Sequence, residues 1–185
     1  MGEVRPPLPV KLVVGMLSQA PERFERAEQA LAEAYGRIDY RSPTLPFAFT
    51  DYYARELGPH LQRLFIAFRD LIDPSRLAAV KRHTSSLEQA WAEGGRRCIN
   101  LDPGYLCAGK LVLATTKDHA HRLYLNEGIY AEVTLAYRDG AWRPWPWTYP
   151  DYRSEEYRAI LTSIRGLYMA QLRDLSRHEG EPTPR

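Results

Sequence analysis

The sequence predicts an α+β fold with three parts: a ferredoxin-like βαββαβ core over about residues 10–101, a three-stranded antiparallel meander over 121–147, and a C-terminal amphipathic helix. The core follows from the order of the apolar patterns, which alternate between the periods of strands and helices. The meander follows from two turn sequences that separate three alternating runs. The last helix follows from apolar residues at helical spacing between 157 and 175.

The first half of the core begins with a central strand and a helix. Residues 10–17 are almost entirely apolar, which is typical of a strand that is buried on both faces. Pro21 suits the first turn of the next helix, and Gly36 suits its C-cap. Residues 38–47 are interrupted by prolines and predict a second, irregular strand near an edge. The buried stripe of the helix is predicted to be Phe24, Ala27, Leu31 and Ala34.

The second half of the core contains one ambiguous segment. Residues 61–72 fit a helix by one pattern and a strand by another. We favour a strand, because Asp73 and Pro74 directly after it are typical of an N-cap and a first helical residue. A strand over 97–101 follows that helix and completes the core. The buried face of the helix is predicted to be Leu77, Val80, Thr84, Leu87 and Trp91.

The segment between the core and the meander has two interpretations. The Asp-Pro pair at 102–103 resembles another helix start, and residues 105–116 fit either a helix or a strand. Residues 104–110 have the spacing of a phosphate-binding loop, G-x-x-x-x-G-K. Leu111 follows where that loop needs a hydroxyl group for magnesium, so we favour a simple turn before a lysine.

Composition and chain ends predict one domain over residues 10–176, with a flexible arm at 1–9 and a disordered tail at 177–185. A cytoplasmic location is expected, because no signal peptide is recognisable and two cysteines are too few for a disulfide framework. No stretch has the length of a membrane span, so no membrane partner is expected. The net charge of +2 argues against nucleic acid as a partner.

The turns of the meander fix its register, and the register fixes its faces. Residues 126–128 fit a three-residue hairpin loop, and residues 139–140 fit a two-residue type I′ turn. Pro144 and Pro146 make the third strand an edge. The face predicted to lie on the core carries Leu123, Leu125, Ile129, Ala131, Val133, Leu135, Tyr137 and Trp142. The opposite face carries Arg122, Tyr124, Tyr130, Glu132, Thr134, Trp145 and Trp147.

This opposite face combines aromatic rings with one acid and one base, as the walls of small-molecule pockets do. The alternative is structural: Arg122 and Glu132 form a cross-strand ion pair, and the rings pack beneath a helix or loop. Both interpretations stay open. Residues 96–122 carry five lysines and arginines against two aspartates, and this surplus favours an anionic ligand nearby.

We therefore expect a domain that binds a small anionic ligand, with a nucleotide as one candidate. Glu132 would orient the ligand or act as a general base. The alternative function is protein interaction or self-association, in which the aromatic edge strand forms a homodimer. Whether the protein is an enzyme is left open. The expected ligand-binding residues are Lys110, Lys117, Arg122, Tyr124, Tyr130, Trp145 and Trp147.

Two histidines form a candidate metal pair. His119 and His121 are two residues apart and would share one face of a strand, with Asp102 or Asp118 as a further ligand. A lone H-x-H is a weak pattern, and the register places His121 away from Glu132. We therefore predict no metal site, and no cofactor is assigned.

Several separate segments together resemble a known family. They are FTDYY (49–53), DPGYL (102–106), KLVLATTKD (110–118), HRLYL with GIYAEVTL (121–135) and PWTYPDYR (146–153). From about residue 10 to residue 172 the chain resembles the prokaryotic domain-of-unknown-function family 4416, whose members are sometimes labelled GTP-binding. The resemblance implies no activity, ligand or catalytic residue, because none is established for the family.

Overall fold

The computed structural model describes residues 2–50 and 53–179, which form a mixed α+β structure with one large antiparallel sheet. Among these residues, no helix combines the length and the apolar character that a membrane span requires. The strands are β1 (Val10–Ser18), β2 (Ile38–Arg41), β3 (Leu45–Pro46), β4 (Gln62–Ile72), β5 (Ile99–Leu106), β6 (Lys110–Thr115), β7 (Leu123–Asn126), β8 (Ile129–Arg138) and β9 (Ala141–Pro144). The helices are α1 (Pro21–Tyr35), α2 (Ala54–Leu57), α3 (Leu77–Ala90) and α4 (Glu155–Glu179), with short 3-10 turns at Pro74–Arg76 and Asp151–Arg153.

The sheet has the order β2–β4–β1–β5–β6–β8–β7, while β3 pairs with β4 and β9 pairs with β8. Strand β1 lies between β4 and β5 and is buried along its whole length. The prediction of a central strand at this point is confirmed. Its unbroken apolar character follows from its position, because both faces of the strand are covered.

Helices α1 and α3 cover one face of the sheet, and α4 covers the other. On the first face, Leu12 belongs to the same core cluster as Phe24 of α1 and Val80 of α3. On the second face, Val13 belongs to a cluster with Tyr157 of α4. Neighbouring side chains of β1 therefore point into different cores, as the pleat of a strand requires.

Local capping signals set the ends of the helices. Helix α1 begins at Pro21, and Gly36 ends it with a φ of 89°, a conformation that favours glycine. In the last turn of α1, Ala34 is exposed and Tyr35 packs on the core instead, so the predicted stripe is wrong at that position. The carboxylate of Asp73 accepts the N–H two residues later at 2.8 Å, and the predicted N-cap is confirmed.

Both ambiguous segments form strands. Residues 61–72 contain β4, as predicted, and residues 105–116 contain the end of β5, a tight turn and β6. The helix start predicted at 102–103 is wrong, because β5 continues through these residues. Leu101 directs its N–H towards α3, so the position two residues later faces the same edge. Pro103 has no N–H to donate, but it faces a part of the β5 edge with which β6 does not pair, so no hydrogen bond of the sheet is lost.

A β-bulge divides the predicted core face of the meander. Strand β6 pairs with β8, and the register shifts between Leu111 and Val112. An extra residue in β8 at this point changes the face that later side chains occupy. Val133 packs towards α3, whereas Leu135 packs towards α4. The prediction that these two residues share one face is therefore wrong.

The two hairpins of β8 differ from each other in how well they match the prediction. Glu127 and Gly128 have φ angles of 49° and 77° and form a two-residue turn, where a three-residue loop was predicted. A bulge at Leu125 compensates, so that Leu123 still lies opposite Ala131. The second turn, at residues 139–140, has two residues as predicted.

Strands β7 and β9 lie end to end along one edge of β8, because β6 occupies the other edge. Strand β9 ends at Pro144, so Trp145 and Trp147 do not continue the pairing that was predicted for them. The chain turns away from the sheet after β9, and Thr148 donates to the carbonyl oxygen of Thr134 at 2.5 Å.

The two ends of the chain differ in secondary structure. Residues 2–9 form no helix or strand and are mostly exposed, so their prediction as a flexible arm stays a prediction. Helix α4 reaches Glu179, three residues beyond the predicted end of the domain at 176. The rest of the predicted disordered tail lies outside the described residues.

Candidate functional site

A cavity of about 570 Å³ lies where the sheet splits between β5 and β6. The two strands pair only from Gly104 to Leu106 of β5. Beyond that point they diverge, because β5 continues with β1 while β6 stays with β8. The volume is in the range of small-molecule sites. The charged residues of its lining are Arg63, Lys81, Arg97, Asp102, Lys117, Arg122, Glu132 and Asp151. Its aromatic residues are Phe47, Phe49, Tyr53, Tyr149 and Tyr152.

Where β6 leaves β5, side chains of helix α3 provide hydrogen-bond partners for the backbone of β5. The ammonium group of Lys81 donates to the carbonyl oxygen of Leu101 at 2.9 Å, and the N–H of Leu101 donates to Glu88 at 2.5 Å. Burial raises the pKa of Glu88 above its ordinary value, although the charge of Lys81 opposes this. An unpaired backbone group in the interior would cost free energy. Lys81 and Glu88 therefore replace the hydrogen bonds that β5 would otherwise make with β6, and this stabilises the gap between the two strands.

The inner end of the cavity is organised around Arg63. Its buried guanidinium donates to Asp102 at 3.1 Å and to Asp151 at 3.3 Å. Asn100 donates to the same oxygen of Asp102 at 2.7 Å. The three charged residues come from β4, from β5 and from the turn before α4, so this cluster joins distant parts of the chain.

The two acids of this cluster respond to burial in opposite ways. Burial alone would raise the pKa of Asp102, but the charges of Arg63 and Lys81 and the bond from Asn100 hold it below its ordinary value. At Asp151 burial dominates and raises the pKa, although Arg63 opposes this. Asp102 is therefore anionic at neutral pH, whereas Asp151 takes up a proton more readily.

Gly15 leaves room for the cluster on the floor of the cavity. It lies in β1 between Phe65 of β4 and Asp102 of β5. A Cβ atom at this position would lie 3.1 Å from the ring of Phe65, 3.2 Å from Arg63 and 3.4 Å from the hydroxyl of Tyr152. A larger side chain here would therefore press on the guanidinium that holds the two acids.

The outer end of the cavity is organised around Glu132, which is buried. Its carboxylate accepts from Arg122 at 2.9 Å and from the hydroxyl of Thr134 at 3.2 Å. It also lies 3.0 Å from a ring nitrogen of His121, so the prediction that His121 lies away from Glu132 is wrong. Arg122 also donates to the hydroxyl of Tyr149 at 2.8 Å. Glu132 thus fixes Arg122 on the wall of the cavity, and its role as a general base stays a prediction.

A column of stacked planar groups continues outward from His121. Its ring stacks on Trp147, and Trp147 stacks on Trp145, each pair with centroids 5.3 Å apart. His119 lies 5.9 Å from His121, and the guanidinium of Arg138 lies 5.0 Å from the ring of Trp145. The indole N–H of Trp147 also donates to the backbone of β8. The column therefore covers the edge of β8 between β7 and β9.

The cavity includes three of the residues predicted for the site, namely Lys117, Arg122 and Glu132. Lys110 lies at the opposite end of β6, where it pairs with Ala136. The predicted convergence of both lysines on one surface is therefore absent from the described structure.

The four predicted aromatic residues lie beside the cavity and are not part of its lining. Tyr124 and Tyr130 face each other across β7 and β8, with ring centroids 5.4 Å apart. Trp145 and Trp147 form the column, which meets the cavity through His121. Trp145 and Trp147 contact each other and the edge of β8, and their role in binding a ligand stays a prediction.

The inner end of the cavity was missed by the sequence analysis. Asp102 was interpreted as part of a helix start or as a possible metal ligand, and Asp151 was not among the predicted site residues. One signal was present: Arg63 interrupts the apolar run at 61–72, and a buried cation needs an acidic partner. The sequence alone does not say which acid that partner is.

The two weak motifs have a structural explanation. Residues 104–110 form the end of β5, a turn and the first residue of β6, whereas a phosphate-binding loop must lead into a helix. Within residues 2–50 and 53–179, no group of three or more histidine, cysteine, aspartate or glutamate side chains is placed to hold a metal ion.

The chain matches a protein-family model described as Domain of unknown function (DUF4416) over residues 8–168. This range includes the strands β1 to β9 and the residues that line the cavity. No curated protein and no solved structure gives a significant match.

Proposed function

The chain belongs to the DUF4416 family, and we propose that it binds a small anionic ligand, a nucleotide being one candidate, in the cavity between β5 and β6. The observation that carries this proposal is the lining of the cavity, which has five cationic side chains, three carboxylates and several aromatic rings. Aromatic walls with a few fixed polar groups are typical of small-molecule sites. A surplus of cations favours an anion.

The outer end of the cavity is the better place for the anionic group. Arg122 is held by Glu132, so little conformational entropy is lost when it contacts a ligand. Three of its five N–H donors bond to protein groups, which leaves two for an anion. Lys117 is exposed at the same end, next to the hydroxyl groups of Thr115 and Thr116.

We also propose the ferredoxin-like core and the cytoplasmic location that the sequence predicts. The antiparallel order β2–β4–β1–β5, with α1 and α3 on one face, supports a ferredoxin-like core over about residues 10–101. Cys98 and Cys107 are both free thiols, which supports a reducing, cytoplasmic compartment.

Replacing Lys117 by alanine should weaken the binding of phosphate-bearing ligands about 10- to 100-fold, because a hydrogen bond to a charged group contributes about 1.5–3 kcal/mol. Isothermal titration with a nucleoside monophosphate, a sugar phosphate and inorganic phosphate measures the change. The matched control is Lys110→Ala, since both lysines are exposed and lie at opposite ends of β6. The control should change the dissociation constant less than about twofold. Equal effects of the two variants, or no binding of any of these anions, would exclude this site.

Self-association is a second candidate function, and the edge of the sheet supports it. Strand β7 ends the strand order of the described sheet, and Leu123 and Tyr124 on it are 73% and 61% exposed. An exposed apolar edge strand is a template for pairing with another chain. Pairing with β7 of a second copy would be antiparallel and two-fold symmetric.

Replacing Leu123 by lysine should turn a dimer into a monomer, because a charge on an edge strand opposes pairing. Size-exclusion chromatography with light scattering measures the mass. Leu175→Lys is the control, since Leu175 is also exposed but lies on α4, away from this edge. A wild-type chain that stays monomeric at high concentration would leave this candidate without support.

A further inference from the structure

The two ends of the cavity differ in the groups that a ligand can contact, and this difference restricts the ligand. Lys117 and Arg122 lie at the outer end, while Asp102 and Asp151 lie at the inner end beside Arg63. Strand β8, which carries the outer end, is two strands away from β5. At about 4.8 Å per strand, the backbones of β5 and β8 are about 10 Å apart. A ligand that spans the cavity therefore meets Lys117 and Arg122 at one end and the carboxylate of Asp102 at the other.

Asp102 is the acid that a ligand can reach. Its side chain is 25% exposed, whereas that of Asp151 is 8% exposed. Arg63 and Asn100 both bond to the same oxygen, Oδ2. A carboxylate has about four acceptor sites, so Asp102 keeps acceptor capacity beyond these two bonds. It also carries no proton to donate, because its neighbours hold it anionic. The ligand group that fits here is a hydrogen-bond donor.

Tyr152 provides an independent observation at the same end. It lies on the wall of the cavity and is only 3% exposed, and its hydroxyl has no hydrogen-bond partner among the described residues. Buried polar groups are rarely unpaired, so this hydroxyl needs an explanation. A ligand group at the inner end of the cavity would supply the missing partner.

From these contacts we infer that the ligand is a phosphate ester with an N–H donor group, an amine or the donor edge of a nucleobase, at the end opposite its phosphate. This inference rests on the proposed function, because it assigns the phosphate to Lys117 and Arg122. Asp102 accepts the hydrogen bond from the donor group.

The wild-type protein tests this inference with matched ligands in isothermal titration. Glucosamine 6-phosphate is compared with 2-deoxyglucose 6-phosphate, and adenosine monophosphate with purine riboside monophosphate. In each pair the second ester lacks only the amino group and is called donor-free below. At least one donor-bearing ligand should bind about 10- to 100-fold more tightly than its donor-free partner. The pair that shows the gain identifies the donor as an amine or as a base edge.

A substitution at Asp102 then tests whether this residue causes the tighter binding of the ligand that carries the amino group. Asp102→Asn keeps the shape of the side chain and removes its charge, so the ratio within the matched pair should fall to about one. The binding of the donor-free ester should change little. Asp139→Asn is the control, because Asp139 lies in the turn between β8 and β9 and asparagine suits that turn. Thermal melting without ligand verifies that both variants are folded.

The outcomes separate this inference from the proposed function. If donor-free esters bind and Lys117→Ala weakens them, but the matched pairs bind equally, the inference is wrong and the anion site stands. If the ratio survives in a folded Asp102→Asn variant, Asp102 is not the acceptor and the inference is also wrong. If no phosphate ester binds, both are overturned.

Discussion

Replacing Arg63 by methionine should lower the free energy of unfolding by about 3–5 kcal/mol. The guanidinium is buried between Asp102 and Asp151, and it is the cation that bonds to both. Methionine fills much of the same volume but leaves two carboxylates without that charge. A buried charge without a partner costs far more than the lost ion pair contributes, which is why the effect is large. Urea denaturation measures it.

Two comparisons isolate the burial of this cluster as the cause. Arg82→Ala removes the ion pair with Glu127, in which both side chains are more than half exposed, so it should cost about 0–1 kcal/mol. Adding Asp102→Asn and Asp151→Asn to Arg63→Met should restore part of the lost stability, because no uncompensated charge then remains. If Arg63→Met costs no more than Arg82→Ala, the cluster does not hold the inner end of the cavity together.

The parts of the fold that were predictable are those that neighbouring residues determine. Pro21, Gly36 and Asp73 act on helix ends within a few residues of themselves, and all three are placed as predicted. The nearly unbroken apolar run at 10–17 also identified β1, and the helix start at Asp73 and Pro74 favoured a strand for β4. These signals are local because capping and pleating are local.

The parts that failed depend on contacts between distant residues. The bulge opposite Leu111 and Val112 arises where β6 meets β8, and nothing in the sequence of β8 marks the extra residue. Strand β5 can continue through Pro103 because β6 has diverged from it there. The missing N–H of Pro103 therefore removes no hydrogen bond between the two strands. Propensity alone favoured a helix start there.

The same distinction separates the two ends of the cavity. Arg122 and Glu132 are ten residues apart in one hairpin, so a register argument brings them together. Arg63 is 39 residues from Asp102, and it is 88 residues from Asp151. No turn or period connects positions so far apart, because their meeting depends on the order of the strands in the sheet.

Replacing Gly104 by alanine should destabilise the protein by about 3 kcal/mol, at the upper end of what overpacking costs. A Cβ atom at Gly104 would clash with the carbonyl oxygen of Val112 and lie 2.7 Å from the side chain of Leu113. Gly104 is one of the three residues through which β5 pairs with β6, so no other contact in this pairing can absorb the shift easily. The melting temperature should fall by roughly 6–12 °C.

Gly109 provides the matched control, because it is the second glycine of the same G-x-x-x-x-G-K pattern. A Cβ atom there would meet nothing within 4 Å, and its φ is not positive, so Gly109→Ala should change stability by less than about 0.5 kcal/mol. A phosphate-binding loop needs both glycines for the approach of its backbone to a phosphate. A strand pair needs only the one that faces the neighbouring backbone. Equal effects of Gly104→Ala and Gly109→Ala on the melting temperature would contradict the β5–β6 hairpin and favour a phosphate-binding loop. A large effect at Gly104 alone is expected from the close contact between β5 and β6 next to the point where the two strands diverge.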